Sequence, residues 1–405
     1  MKRLIAAILA LVLAGMLPAM AEARLMVVSD IHYLARPLYE GSELFVRALR
    51  AGDGKLTQQG DALMDALAEQ AAVIRPDALI VTGDLSFNGE RLSHEALAER
   101  FRAIEAAGVP VWVIPGNHDI NVDTPRGYAG DGWYRVEGVM PEAFSAIYAD
   151  FMEPPEGEDS LSYTARIGDG LWIAMADVSY YRHGAQTFGL FTAAHAAWFQ
   201  DVLEQAREAG AEVLTATHQS MLAHTQMMRE SFQMFGHESM EALSRQGGVR
   251  LNLSGHLHIQ HIVRDGPLAD AATGAFSVWP HRYALVTVGD DGTITYEAKT
   301  LDGAYLPEGF SEMSEAWFYG IARDKTAASL ADLGLSDDEI ERMADYAARF
   351  NLAYFAGTYR RDDPAWEEDP AAGLWREKAG GAFRQYLETV MEEQTEDNLR
   401  LSLPG

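Results

Sequence analysis

Six short apolar runs organise the first two thirds of the chain, and each stops at a polar residue that can chelate an ion or turn the backbone. Residues 25–28 run into Ser29 and Asp30, 78–81 into Thr82, Gly83 and Asp84, and 109–114 into Pro115-Gly116-Asn117-His118-Asp119. Residues 171–176 end at Asp177, 213–216 at Thr217 and His218, and 249–253 at Ser254-Gly255-His256-Leu257-His258. Runs this short, separated by stretches of helical periodicity, read as buried strands of an α/β structure. The spacing predicts helices over 57–74, 93–107, 141–151, 192–209 and 238–246, with Ser93 and Thr192 as N-caps and Gly108 and Gly210 where helices stop. Periodicity alone suggests one doubly wound sheet. Residues 283–288 and 293–298 flank Gly289-Asp290-Asp291-Gly292, a hairpin signal. Beyond about residue 301 only helical patterns remain, at 311–323, 337–355 and 373–393, with Ser336 capping the second. The boundaries follow: an α/β unit over 24–300 and a small all-helical domain over 301–405.

The N-terminus points to export. Lys2 and Arg3 precede an uncharged apolar run that contains Pro18 and ends in alanines, the pattern of a secretory signal peptide over 1–23. The run is also long enough to span a bilayer, so a membrane association through an uncleaved anchor stays open. Sixty acidic residues against 32 basic ones leave a formal charge of −28. Such a surface repels nucleic-acid backbones, so no polymeric nucleic acid is expected as partner. An anionic substrate must then be held by something locally positive, and a bound metal would serve. Cysteine is absent, which excludes disulfides, thiolate metal sites and cysteine nucleophiles.

Ligands of open α/β sheets bind beyond the carboxyl ends of the strands. Here those ends supply Asp30, His32, Asp84, Asn117, His118, Asp119, His218, His256 and His258. Five strand ends offering only Asp, Asn and His are hard to explain as satisfied core or solvated loop. Oxygen and imidazole donors without sulfur suit borderline divalent ions such as Mn, Fe or Zn. Even seven of these nine as ligands would exceed one shell once a water is counted, which favours two ions. A pair of cations can neutralise phosphate in an acidic protein and activate water for phosphoester hydrolysis.

The blocks Asp30-Ile31-His32, Gly83-Asp84, Gly116-Asn117-His118-Asp119, His218 and Gly255-His256-Leu257-His258 resemble, in order and spacing, those of calcineurin-like metallophosphoesterases. The resemblance implies a four-layer αββα sandwich of two sheets rather than one doubly wound sheet. It implies that Asp30, His32 and His258 hold one metal, that Asp84 bridges both, and that Asn117, His218 and His256 hold the second. His118 would serve at the leaving group, with Asp119 orienting it. Purple acid phosphatases carry a metal-binding tyrosine where this chain has Phe87, so that branch is not expected. The segment 83–90 and the helical tail are similar to bacterial class III cyclic-nucleotide phosphodiesterases of an exported type. Gln219 follows His218 where many relatives have a second histidine.

Several residues are candidates for substrate contact: Tyr33 beside the first pair, His224 six residues after His218, and Arg126, Tyr128 and Arg135 in a glycine-rich stretch. An aromatic could stack on a base and an arginine could hold phosphate. Each also has an ordinary reading as surface or core. The expected function is an exported, dinuclear metal-dependent phosphodiesterase acting on small phosphoesters through a metal-bridging hydroxide, with 3′,5′-cyclic nucleotides as candidate substrates. A broad phosphomonoesterase or nucleotidase is one alternative, and an inactive metal-stabilised scaffold is another. Oligomeric state is not legible in the sequence.

Overall fold

The computed structural model describes residues 22–39, 41–156, 160–168, 170–225, 232–379, 381–393 and 397–405. The predicted signal segment, apart from its last two residues, lies outside them. Two six-stranded sheets form the frame. In the first, β1 (Ala23–Val28), β2 (Ala78–Thr82) and β3 (Val111–Ile114) run parallel. The hairpin β4 (Arg126–Ala129) and β5 (Gly132–Arg135) stands apart from both sheets. The second sheet is built from β6 (Tyr163–Ile167), β7 (Leu171–Ala176), β8 (Glu212–Thr217), β9 (Leu251–Ser254), β10 (His261–Asp265) and β11 (Leu268–Ala272). Its strands β7, β8, β9 and β11 are parallel, and β6 and β10 are antiparallel edges. The first sheet is completed by β12 (Arg282–Val288), β13 (Ile294–Thr300) and β14 (Arg400–Leu403), all antiparallel.

Strand β7 shows why this is a sandwich. Alternate side chains of a strand face opposite sides. Leu171, Ile173 and Met175 join one core with Val27, Ile80 and Val113 of the first sheet. Trp172, Ala174 and Ala176 join another with Phe199 and Val202 from helix Ala193–Ala209 and Met240 from helix His237–Gly247. A doubly wound sheet would have helices on both faces, whereas here the other sheet covers one face of β7 and helices cover the other. Helices Gly60–Ile74 and Arg91–Ala106 put Leu63, Leu67, Leu97 and Phe101 into the same core as the first sheet. The four-layer αββα arrangement stands, and the single doubly wound sheet does not.

Most predicted helices are present, with shifted ends. The helix expected from residue 93 starts at Arg91 with Glu90 at its N-cap, so Ser93 lies inside it, buried and bonded to Glu90. Thr192 caps its helix by accepting from His195 N. Helix Glu43–Ala51 is an element the sequence reading did not mark. The tail begins with α7 (Phe310–Leu330) and α8 (Asp337–Phe355), taking the helices in chain order from Glu43–Ala51 as α1. Ser336 caps α8 through a reciprocal bond with Glu339. The tail is not helical to its end, because β14 returns to pair with β13 of the first sheet. Among the described residues no helix is long and apolar enough to cross a membrane.

The tail packs directly on the α/β unit. Ile259, between the strand end of β9 and β10, is buried in the core of the helical region with Tyr346, Phe350 and Tyr354 of α8, and Leu257 packs against that core. The backbone of Gln260 donates to Phe355 O at 3.0 Å.

Candidate metal centre

The carboxyl ends of β1, β2 and β3 in one sheet meet those of β8 and β9 in the other. Two clusters result, Asp30 with His32, Asp84 and His258, and Asp84 with His218 and His256, with the donor atoms of each within 4.8 Å of one another. Asp84 belongs to both. Asn117 Oδ1 lies 3.1 Å from His218 Nε2, which places it at the second cluster. All seven candidate ligands therefore converge.

The local backbone is bent to achieve this. Asp30, His32, Asp84, His256 and His258 all have φ between 46° and 66°, the left-handed region that side chains adopt at a cost. Neighbouring glycines make the room. A Cβ at Gly116 would stand 2.2 Å from Asp84 N and Oδ1, and one at Gly255 would stand 1.7 Å from Ser29 Oγ. The Gly-Asp, Gly-Asn-His-Asp and Gly-His-x-His pairs thus join a donor to the space it needs.

Secondary contacts fix the donors. His218 Nδ1 donates to Thr82 O at 2.8 Å, which turns Nε2 toward Asp84 Oδ1 at 3.3 Å. His258 Nδ1 faces Asp53 Oδ2 at 2.8 Å, and its Nε2 lies 3.3 Å from Asp30 Oδ1. The Nε2 atoms of His32 and His258 face each other at 3.1 Å. Asp30 Oδ1 is buried with no hydrogen-bond partner. Converging imidazole nitrogens and an orphaned carboxylate oxygen are what a cation-binding site requires, so these residues fit divalent metals.

Charge within the cluster is set by opposing effects of burial and of neighbouring groups. Burial pushes Asp84 upward, but His218 and His118 outweigh it and hold the carboxyl well below its usual range. Burial pulls His218 down, yet Asp84 and Asp30 raise it to about 9. His258 is likewise pulled down by burial and raised to about 9 by Asp53 and Asp30. Burial keeps His32 well below the ordinary imidazole value.

His118 stands at the edge of the cluster, its ring 4.9 Å from that of His32. Its Nδ1 donates to Phe87 O at 2.9 Å, which leaves Nε2 for chemistry. The expected orienting role of Asp119 needs correction. Asp119 is buried and accepts from Leu85 N, Ser86 N, Ser86 Oγ and Gly116 N, so it ties the Asp84 loop to the Asn117 loop. The ring of His118 is held by the Phe87 carbonyl instead.

The clusters open into a cavity of about 360 Å³. Asp84, Asn117, His118, His256 and His258 line its polar end, and Phe232, Leu257, Ile259, Tyr354 and Phe355 line an apolar wall. The five candidate substrate contacts are not among the described residues that line it. Tyr33 is buried and donates to Asp61 Oδ1 at 2.7 Å. His224 is buried against His261, their Nδ1 atoms 3.0 Å apart. Tyr128 packs on Phe45, while Arg126 bonds Thr124 and lies over Trp133 in the β4–β5 hairpin. Arg135 is exposed on β5. In contrast, Asp53, Lys55, Tyr354 and Phe355 do line the cavity and were not singled out as site residues. An Asp-Gly-Lys turn has no metal-site signature, and an aromatic pair at the end of a helix reads as core.

Residues 23–260 match the family described as calcineurin-like phosphoesterase, and residues 308–397 match the C-terminal domain of cyclic nucleotide phosphodiesterase. No curated protein matches the chain. Among solved structures, a dimetal phosphatase from Danio rerio is similar at 13% identity and a TM-score of 0.50, covering 69% of this chain and 96% of that one. A sulfate thiohydrolase from Thermus thermophilus, in complex with glycerol, is similar at 16% identity and a TM-score of 0.41, covering 79% of this chain and 63% of that one.

Proposed function

The chain belongs to the calcineurin-like phosphoesterase family, a metal-dependent phosphoester hydrolase by that membership, and we propose that it is an exported phosphodiesterase using two divalent ions. The observation that carries the diester reading is the shape of the cavity. A monoester presents one organic group and a dianionic phosphoryl head, whereas a diester must also seat a second organic group beside the metals. The wall of Phe232, Leu257, Ile259, Tyr354 and Phe355 next to the ligand clusters provides such a seat. The match of residues 308–397, which contain Tyr354 and Phe355, supports cyclic nucleotides as candidate substrates.

Asp30, His32, Asp84 and His258 would hold one ion, and Asp84, Asn117, His218 and His256 the other, with Mn, Fe or Zn matching the donors. Bound there, the ions supply Lewis-acid stabilisation of phosphoryl charge and acidify a water. His118, its ring held through Nδ1 by Phe87 O, would in its protonated form give the Nε2 proton to the departing oxygen. Asp119 keeps the loops of Asp84 and His118 in register. Export is inferred from Lys2, Arg3 and the apolar run after them.

The test strips the protein of metal, restores Mn, and compares bis-p-nitrophenyl phosphate, p-nitrophenyl phosphate and cyclic AMP. The diester should be hydrolysed with the higher kcat/KM, and Asp84→Asn should lower turnover by at least ~10³-fold by weakening both ions. Preference for the monoester would make the chain a phosphomonoesterase. Wild-type turnover in Asp84→Asn would refute the site.

A further inference from the structure

Among the described residues lining the cavity, a single lysine or arginine is present, Lys55. Its side chain is only 13% exposed, and its ammonium lies 3.1 Å from Asp53 Oδ2. That same carboxylate oxygen faces His258 Nδ1 at 2.8 Å, so Asp53 is shared between the lysine and a candidate metal ligand. An ammonium has three donors, and Asp53 answers one. Most of the side chain is covered although it lines the cavity, and a surface tether for Asp53 would not require that placement.

The turn that carries Lys55 is built in place. It follows α1 (Glu43–Ala51) and is clamped by the tail. Gly54, at φ +96°, is so close to α7 that a Cβ would stand 2.4 Å from Phe318 Cδ2. The Arg50 guanidinium lies 4.8 Å from the centre of the Trp317 ring, and Lys325 Nζ donates to Gly52 O. On the other side, Leu56 N donates to Ser277 O at 2.7 Å, and Ser277 Oγ donates to Asp30 O at 2.8 Å. The turn is therefore wedged between the helical tail and the loop of a metal-ligand candidate.

We propose that Lys55 is a substrate-binding residue that holds a non-bridging phosphoryl oxygen in the cavity, with Asp53 keeping it extended toward the metal centre. The proposal rests on the reading of the cavity as a phosphoester site. It also addresses the charge problem of the chain, because a surface of net charge −28 must attract an anion through local cations. Lys55 supplies one from the protein itself.

The experiment uses the full chain loaded with Mn and reads inorganic phosphate binding by calorimetry together with metal content. Lys55→Met should keep the wild-type metal content and weaken phosphate binding ~10-fold or more, the worth of one charge-assisted hydrogen bond. Lys55→Arg should recover most of that loss. With bis-p-nitrophenyl phosphate, Lys55→Met should raise KM in step with the loss of phosphate affinity. Unchanged phosphate affinity in Lys55→Met overturns the proposal, as does a wild-type protein that takes up metal and binds no phosphate. Loss of metal together with phosphate also overturns it, because Lys55 would then act through Asp53 on His258. A wild-type protein that binds phosphate and hydrolyses no phosphoester refutes the proposed function instead, and leaves the Lys55 comparison readable.

Discussion

Ile259→Ala tests whether the helical tail holds the metal loop. Ile259 is 4% exposed, sits one residue after His258, and packs in the core formed by the tail. Truncating a buried isoleucine costs roughly 2–5 kcal/mol, and the side chain borders a cavity, so about 2 kcal/mol is expected here. If contact with α8 keeps His256 and His258 in their left-handed conformations, that energy is lost from the ligating form of the loop. Mn affinity should then fall by up to ~30-fold, the equivalent of 2 kcal/mol. The control is Met343→Ala, in the same helical core and fully buried, but outside the cavity lining. It should lower stability by a similar or larger amount and leave Mn affinity unchanged. Urea unfolding in chelator gives the stability of both variants, and Mn titration gives the affinity. If Ile259→Ala loses stability while binding Mn as tightly as wild type, the tail does not brace the loop. If it loses no stability, the packing argument itself fails.

Two further predictions follow from buried charge. His218 and His258, raised to about 9 in the metal-free site, must each release a proton to become ligands. Metal affinity should therefore rise with pH up to about 9, by roughly tenfold per unit for each proton displaced, and Mn titrations at three pH values that show no slope would refute this. Glu90 is buried with Oε1 unbonded, and burial raises it to about 7 from the usual 4.5. Because the folded value is the higher one, its contribution is greatest below about 4.5 and is lost as pH rises through about 7, a swing of about 3 kcal/mol. Glu90→Gln should stabilise the protein at pH 8 far more than at pH 5, and an equal effect at both in urea unfolding would exclude the shift.

The sequence exposes the parts of this protein that are local. A strand such as β7 is visible because all six of its residues are apolar, and the ligands are visible because they follow such runs without interruption. Which sheet a strand joins is not local. Leu171 and Trp172 look alike in the sequence, and only the packing of layers puts one in the core that contains Val27 and the other in the core that contains Phe199. The return of β14 to β13 across a hundred residues is hidden for the same reason. So are Asp53 and Lys55, whose turn gains meaning only when Phe318 and Ser277 press it against the metal loops. Tyr33 and His224 show the opposite case. Both are near ligands in sequence, yet buried partners, Asp61 for Tyr33 and His261 for His224, hold them elsewhere than in the described cavity lining.

The tail then differs from an appendage in what it touches. α7 holds the turn that delivers Asp53 to His258, and α8 holds the loop that carries His256 and His258. Both contacts act on the same side of the metal centre, the side contributed by the strand end of β9. The opposite side, with Asp84, Asn117 and His118, is tied internally by the four bonds of Asp119. A bent, strained loop needs something to over-determine it, and a carboxylate network does this on one side while an apolar contact does it on the other. The two devices respond differently to perturbation. Loss of the apolar brace should be compensated by excess metal, since binding favours the ligating form by mass action. Loss of the Asp119 network strands buried donors that no metal reaches, so excess metal should restore little. With both outcomes, the helical tail would tune the metal site and the Gly-Asn-His-Asp block would fix it.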